Sequence, residues 1–247
     1  MIFFNHKFDF WAVYETIKKF YPIGCGVIDH ELIQKKYAIN YPGTELLESI
    51  IVENTHNIEV FNDRWETITT KIQKATEQKT IGTTYGIGPC YSGYTEIEVI
   101  KSPDCIRFKE VYFFVSFLGP YYSIIGVDRT QFLGDKKRIY LTNYLVSSPE
   151  AEFAEPFRMI ESVLIENFPD YRFTPYALCV QKMKGLNTRG NSDEYENTIF
   201  HALYNDQIDL KTKSIGDAGY GCDTWIRNDY DSSTEGGWVI YPPDSMI

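Results

Sequence analysis

The sequence has no excess of basic residues, no paired-cysteine motif and no apolar run of membrane length, and each lack removes a class of function. Lys and Arg number 24 against 34 Asp and Glu, for a net charge of −10. A protein that grips a phosphate backbone needs a basic patch, so nucleic acid is not an expected partner. The five cysteines, Cys25, Cys90, Cys105, Cys179 and Cys222, are odd in number and never spaced as CxxC. They supply neither a zinc ribbon nor a disulfide framework. The expectation is free, mostly buried thiols in a reducing compartment, with no metal and no cofactor. The uncharged run Val111 to Val127 is seventeen residues long and is broken by Gly119-Pro120. A spanning helix needs about 20 apolar residues, and proline inside a helix costs about 3 kcal/mol, so no membrane segment is expected. The opening MIFFNHKFDFWAVY has no basic stretch ahead of an unbroken apolar core and does not read as a secretory signal. Cytoplasm is the expected location.

Catalytic motifs are scarce. The histidines His6, His30, His56 and His201 form no HExxH, and no Ser stands in a GxSxG context. The glycine-rich stretch GIGPCYSG places Pro and Cys where a phosphate loop needs Lys and Ser or Thr. Cys25 lies near Asp29 and His30, and Cys25 or Cys90 with a distant His is the one nucleophile pairing open to an enzyme. Asp229, Asp231 and Glu235 invite a calcium loop, and Gly236 would fall at its turn. Pro242, however, stands where the bidentate glutamate belongs, which excludes an EF-hand.

What is present in quantity is aromatic: 16% of the chain, mostly Tyr and Phe. The segment VYFFVSFLGPYYSIIGV is made of β-forming residues on both sides of its Gly-Pro break. It is apolar at both parities, as in a strand covered on both faces. It therefore predicts two central strands in a hairpin over 106–127, preceded by a half-exposed strand at Ile97 and Val99 and followed by one at Ile139 to Val146. Around this antiparallel sheet the expected fold is α+β, with helices from both ends of the chain packed on it.

Helical spacing joins Phe10, Val13, Tyr14, Ile17 and Tyr21. Residues 24–37 read as a turn and a short helix. Thr44 reads as the cap of a helix burying Leu46, Leu47, Ile50 and Ile51. Ile58 and Val60 suggest a short strand. Asn62 reads as the cap of a helix with Trp65, Ile68, Ile72 and Ala75 inward. The stretch 82–94 reads as a loop because it holds four glycines in thirteen residues. Ser148-Pro149-Glu150 signals a helix start, with Pro156 marking a later start or a bend. Tyr176 to Met183 has strand character, and Ser192 opens a last helix with Tyr195, Ile199 and Leu203 inward. These last elements are expected to cover one face of the sheet. The whole chain, 1–247, reads as a single domain: a mainly helical part to residue 80, sheet and helices over 94–212, and a tail over 213–247.

Charge is uneven. Residues 190–247 hold eleven acids and three bases, whereas residues 1–189 hold 23 acids and 21 bases. Aromatics lie among the tail acids, and Tyr and Trp favour interface centres. The expected partner surface is Asp217, Tyr220, Asp223, Trp225, Asp229, Tyr230, Asp231, Glu235 and Trp238, facing a basic protein. In size, acidity and lack of catalytic motifs, the chain resembles the immunity proteins that block bacterial polymorphic toxins. The resemblance rests on YFFVSFLGPYYSIIGVD and the acidic tail. It implies a non-enzymatic inhibitor that covers a toxin's basic cleft with carboxylates. A glycan- or peptide-binding module using Trp225 and Trp238 is the remaining alternative to an enzyme.

Overall fold

The computed structural model describes residues 2–5, 7–23, 41–84, 88–133, 138–183, 186, 188, 198–205, 207–230 and 237–240. The fold is α+β. A mixed, mostly antiparallel seven-stranded sheet has the order β2-β3-β4-β5-β6-β8, with β7 added beside β5. Its strands are β2 (Thr80–Gly82), β3 (Cys90–Lys101), β4 (Cys105–Ser116), β5 (Tyr121–Leu133), β6 (Arg138–Val146), β7 (Arg172–Phe173) and β8 (Ser214–Ile215). The hairpin expected over 106–127 is β4 paired with β5, from Cys105 opposite Phe132 to Val115 opposite Tyr122. Gly119 tightens its turn, because a Cβ there would lie 2.6 Å from the Tyr121 ring. A separate two-stranded sheet pairs β1 (Ile2–Asn5) with β9 (Gly237–Ile240).

The double-sided apolar pattern of β4 has a direct cause. Tyr112 and Phe114 face one core, which they share with α1 (Trp11–Phe20), α2 (Pro42–Thr55), α6 (Tyr176–Cys179), α7 (Ile199–Leu203) and Trp225. Val111, Phe113 and Val115 face the other, with Trp65, α4 (Thr67–Thr76) and α5 (Ala154–Asn167). Both faces of the sheet are thus covered. The expectation that the last elements cover a single face is corrected: α5 lies on one side, α6 and α7 on the other.

Several local expectations change. Ile58 and Val60 belong to a helical turn, α3 (Ile58–Phe61), because the Asn57 carboxamide oxygen accepts from the Val60 N–H. A π-helical turn, Asn62–Glu66, then leads into α4, so Asn62 caps nothing. Tyr41, with Pro42 after it, replaces Thr44 at the start of α2, and Leu46 points outward. Gly43 lets α2 approach α1, since a Cβ would stand 2.1 Å from the Lys19 carbonyl. In α4, Thr76 is buried and Ala75 is exposed. The glycine-rich stretch is only partly loop: β3 begins at Cys90, and Gly93 sits where a Cβ would meet the Phe113 ring at 2.5 Å. Pro156 falls in the first turn of α5, where no N–H is needed. Tyr176 begins α6 rather than a strand, with Pro175 at its N-cap. Thr198 caps α7, and Ile199 and Leu203 are buried as expected. The readings over 24–37 and at Ser192 and Tyr195 lie outside the described residues.

Candidate binding surface

The acidic tail divides when its residues are placed. Trp225 is fully buried; its indole N–H donates to the Phe173 carbonyl at 2.6 Å, and its ring packs on Phe10 and Tyr121. It is a core residue and offers nothing to a partner, which corrects its assignment. An indole buries a large apolar area, and once buried its N–H needs an acceptor; the end of β7 provides one. Tyr220 is half-buried, edge-on to Phe157 and Phe173, with its hydroxyl donating to Glu161 at 2.7 Å. Burial pushes the Glu161 carboxyl above its ordinary value, and the Tyr220 hydrogen bond only partly offsets this.

Asp217 and Asp223 are exposed. Asp217 accepts from the Gly219 N–H, holding the turn that feeds Tyr220 inward. Asp229 is exposed but matched by Arg227, through two hydrogen bonds of 2.8 Å. Tyr230 is half-buried, with the Lys7 ammonium 5.8 Å from its ring centre. Asp231 and Glu235 lie outside the described residues; Trp238 lies in β9, opposite Phe4. Across 207–230 the acids Asp209, Asp217, Asp223 and Asp229 are interspersed with Lys211, Lys213 and Arg227, so this part of the tail is close to neutral.

Among the described residues, another stretch carries a larger excess of acids. Between Tyr41 and Glu66 there are six carboxylates and one guanidinium. Glu45, Glu48, Glu53, Glu59, Asp63 and Glu66 are all exposed. Arg64 does not neutralise them: its guanidinium lies over the Trp65 ring at 4.8 Å and reaches Asn54 at 3.4 Å. Leu46, Val52 and Val60 stand among these acids, each 48–49% exposed. The anchors explain the orientation. Leu47 and Ile51 bury one side of α2, and Trp65, Ile68 and Ile72 bury one side of the π turn and α4. The six acids and Leu46, Val52 and Val60 are left facing outward. Val52, Glu53, His56, Asn57 and Glu59 line a shallow notch where α2 meets α3. A running charge count would have found this stretch, but the count over whole chain segments hid it beneath the lysines of residues 1–189.

The cysteine candidates separate in the same way. Cys90 and Cys179 are fully buried, and burial pushes both thiols up, Cys179 to about 12. Cys90 receives a hydrogen bond from the Asn205 amide at 3.4 Å, and His201 is instead bonded to Thr198. A thiol held protonated this way is a poor nucleophile. Cys25 lies outside the described residues. Among the described residues, no group of three or more His, Cys, Asp or Glu is placed to hold a metal ion, and no helix is long and apolar enough to cross a membrane.

No family model, curated protein or solved structure matches the chain.

Proposed function

We propose that this chain is a non-enzymatic binding protein that engages a basic protein through the acidic face running from α2 to the π turn. The observation that carries the proposal is the six-to-one excess of exposed carboxylates over Tyr41–Glu66, interleaved with exposed aliphatic side chains. Complementary charge steers association and excludes wrong partners. Desolvated apolar anchors supply the affinity, and Leu46, Val52 and Val60 are placed to act as such anchors. The reading retains a basic partner but moves the surface from the tail to these helices. In its finer form the chain is an immunity-type inhibitor, covering the positive cleft of a cognate toxin in the cytoplasm.

The test is binding to a basic protein, sought first among those encoded beside this chain's gene, measured by calorimetry at low and high salt. Affinity is expected to fall steeply between about 50 and 500 mM salt, as screening shortens the reach of surface charge. Reversing Glu45, Glu53 and Glu59 to Lys is expected to abolish it. Binding that is indifferent to both changes would overturn the proposal.

A further inference from the structure

A cavity of about 340 Å³ opens between the π turn, α4 and β2. The chemistry of its more buried wall is one-sided: the hydroxyl hydrogens of Thr69, Thr80, Thr84 and Tyr91 are already committed, and the donors left in the lining, the Thr70 hydroxyl and the Gln73 amide, are on exposed residues. Thr69 and Tyr91 use theirs in a triangle with each other and the Trp65 carbonyl. Thr80 is committed to the Gln78 carbonyl or Thr95, and Thr84 to the Ser92 carbonyl. A hydroxyl has one hydrogen and two lone pairs, so these groups have acceptor capacity left and no donor. Glu66 is the only charged group in the lining, and it is exposed. The Phe61 ring meets Tyr91 edge-on at 6.0 Å and adds an aromatic wall. Gly82 keeps the floor open, since a Cβ there would stand 3.3 Å from the Tyr91 hydroxyl. The adjoining π turn is a distortion found frequently at functional sites.

We infer that this cavity binds an organic cation, an alkylammonium or guanidinium group. Such a group brings only donors and is drawn to a carboxylate and to an aromatic face. The cavity opens beside the C-terminal end of the acidic stretch. A lysine or arginine side chain of a basic partner is therefore one source of the cation, and a free small amine is the other. The inference deepens the acidic-surface proposal and rests on it only for the first source.

The experiment is a nuclear magnetic resonance titration of the full chain with agmatine, with a lysine-alanine decapeptide, and with n-pentanol as the neutral control. Agmatine or the peptide is expected to shift the amides of Gly82, Thr84 and Glu66, with pentanol leaving them in place. Tighter binding by the peptide, displaced by agmatine, assigns the site to a partner's side chain; binding by agmatine alone assigns it to a free amine. Glu66→Gln is expected to weaken binding about tenfold, the loss of one charge-assisted hydrogen bond, and Gly82→Val to block it while the circular dichroism spectrum stays unchanged. Equal shifts with pentanol, no shifts with either cation, or full affinity in Glu66→Gln would overturn the cation site. Charge reversal of Glu45, Glu53 and Glu59 in the same titration separates the two claims. If agmatine binding survives while the basic protein is still bound, the surface proposal fails and the cavity stands.

Discussion

Glu110, almost fully buried on β4, receives two hydrogen bonds of 2.8 Å from Arg129 on β5. The residue just before it in β5, Asp128, faces the opposite side of the sheet and takes Arg107 at 2.7 Å. Two buried carboxylates thus sit on opposite faces at the same level of the sheet, each held diagonally by a guanidinium from the neighbouring strand. They mark where the dry cores end: beyond them, Val99, Ile100, Phe132 and Leu133 are substantially exposed. Removing one member of such a pair leaves an uncompensated buried charge, which costs about 3–5 kcal/mol. Arg129→Met is expected to lose roughly that amount in urea unfolding. The double variant Glu110→Gln, Arg129→Met is expected to recover most of it. A single variant as stable as the parent would show that Glu110 is not desolvated.

Two acids should respond to pH in opposite senses. For Asp128, burial alone would raise the carboxyl. Hydrogen bonds from Arg107, Asn143 and Tyr144 outweigh it and hold the group below its ordinary 3.8. Its contribution is present above the unfolded value and is lost as pH falls through the lower folded one. Glu161 is raised above its ordinary 4.5 by burial. It costs stability at neutral pH, and that cost is relieved as pH falls through its raised folded value. Chemical unfolding from pH 7 downward is expected to show Asp128→Asn losing its deficit in strong acid. Glu161→Gln is expected to be more stable than the parent at pH 7 and equal to it near pH 4. The reverse order would contradict both assignments.

Trp225 fills a core position and is fully buried. Trp225→Ala is expected to cost about 3–5 kcal/mol, and its native emission to be blue-shifted until the chain unfolds. At a temperature where the variant remains folded, binding to the basic protein is expected to be unchanged. A loss of affinity without loss of stability would return this residue to the interface.

Thiol chemistry gives a further check. At neutral pH, Cys90 and Cys179 are expected to alkylate only after unfolding, since burial keeps both protonated. Rapid native labelling of Cys90 would reopen the enzymatic alternative.

The central sheet was legible because its signal is strong and local: Tyr112 to Val115 are apolar at both parities, and burial on both faces leaves no other arrangement. The same rule failed at Gly93, whose missing side chain reads as loop but makes room for Phe113. It failed at Tyr176 to Cys179, which sit in a helical turn because Pro175 starts one and the core shared with α1 takes Tyr176, Leu178 and Cys179. Short apolar runs carry no period of their own, and Ile58–Phe61 shows the cost. Trp225 was misplaced for a different reason. Rings among acids look alike in a sequence whether buried or not, and Trp225 is inside because Phe173 offers its carbonyl. The exposed acids of α2 follow from which side Leu47 and Ile51 bury, a pattern the helical period contains and a segment-wide charge total conceals.

The most direct measurement is amide hydrogen exchange of the chain alone and saturated with its basic partner. Slowed exchange is expected over residues 45–66 and at Gly82 and Thr84, with 207–230 unchanged. Protection confined to 207–230, or absent throughout, would contradict the acidic helical face as the binding surface.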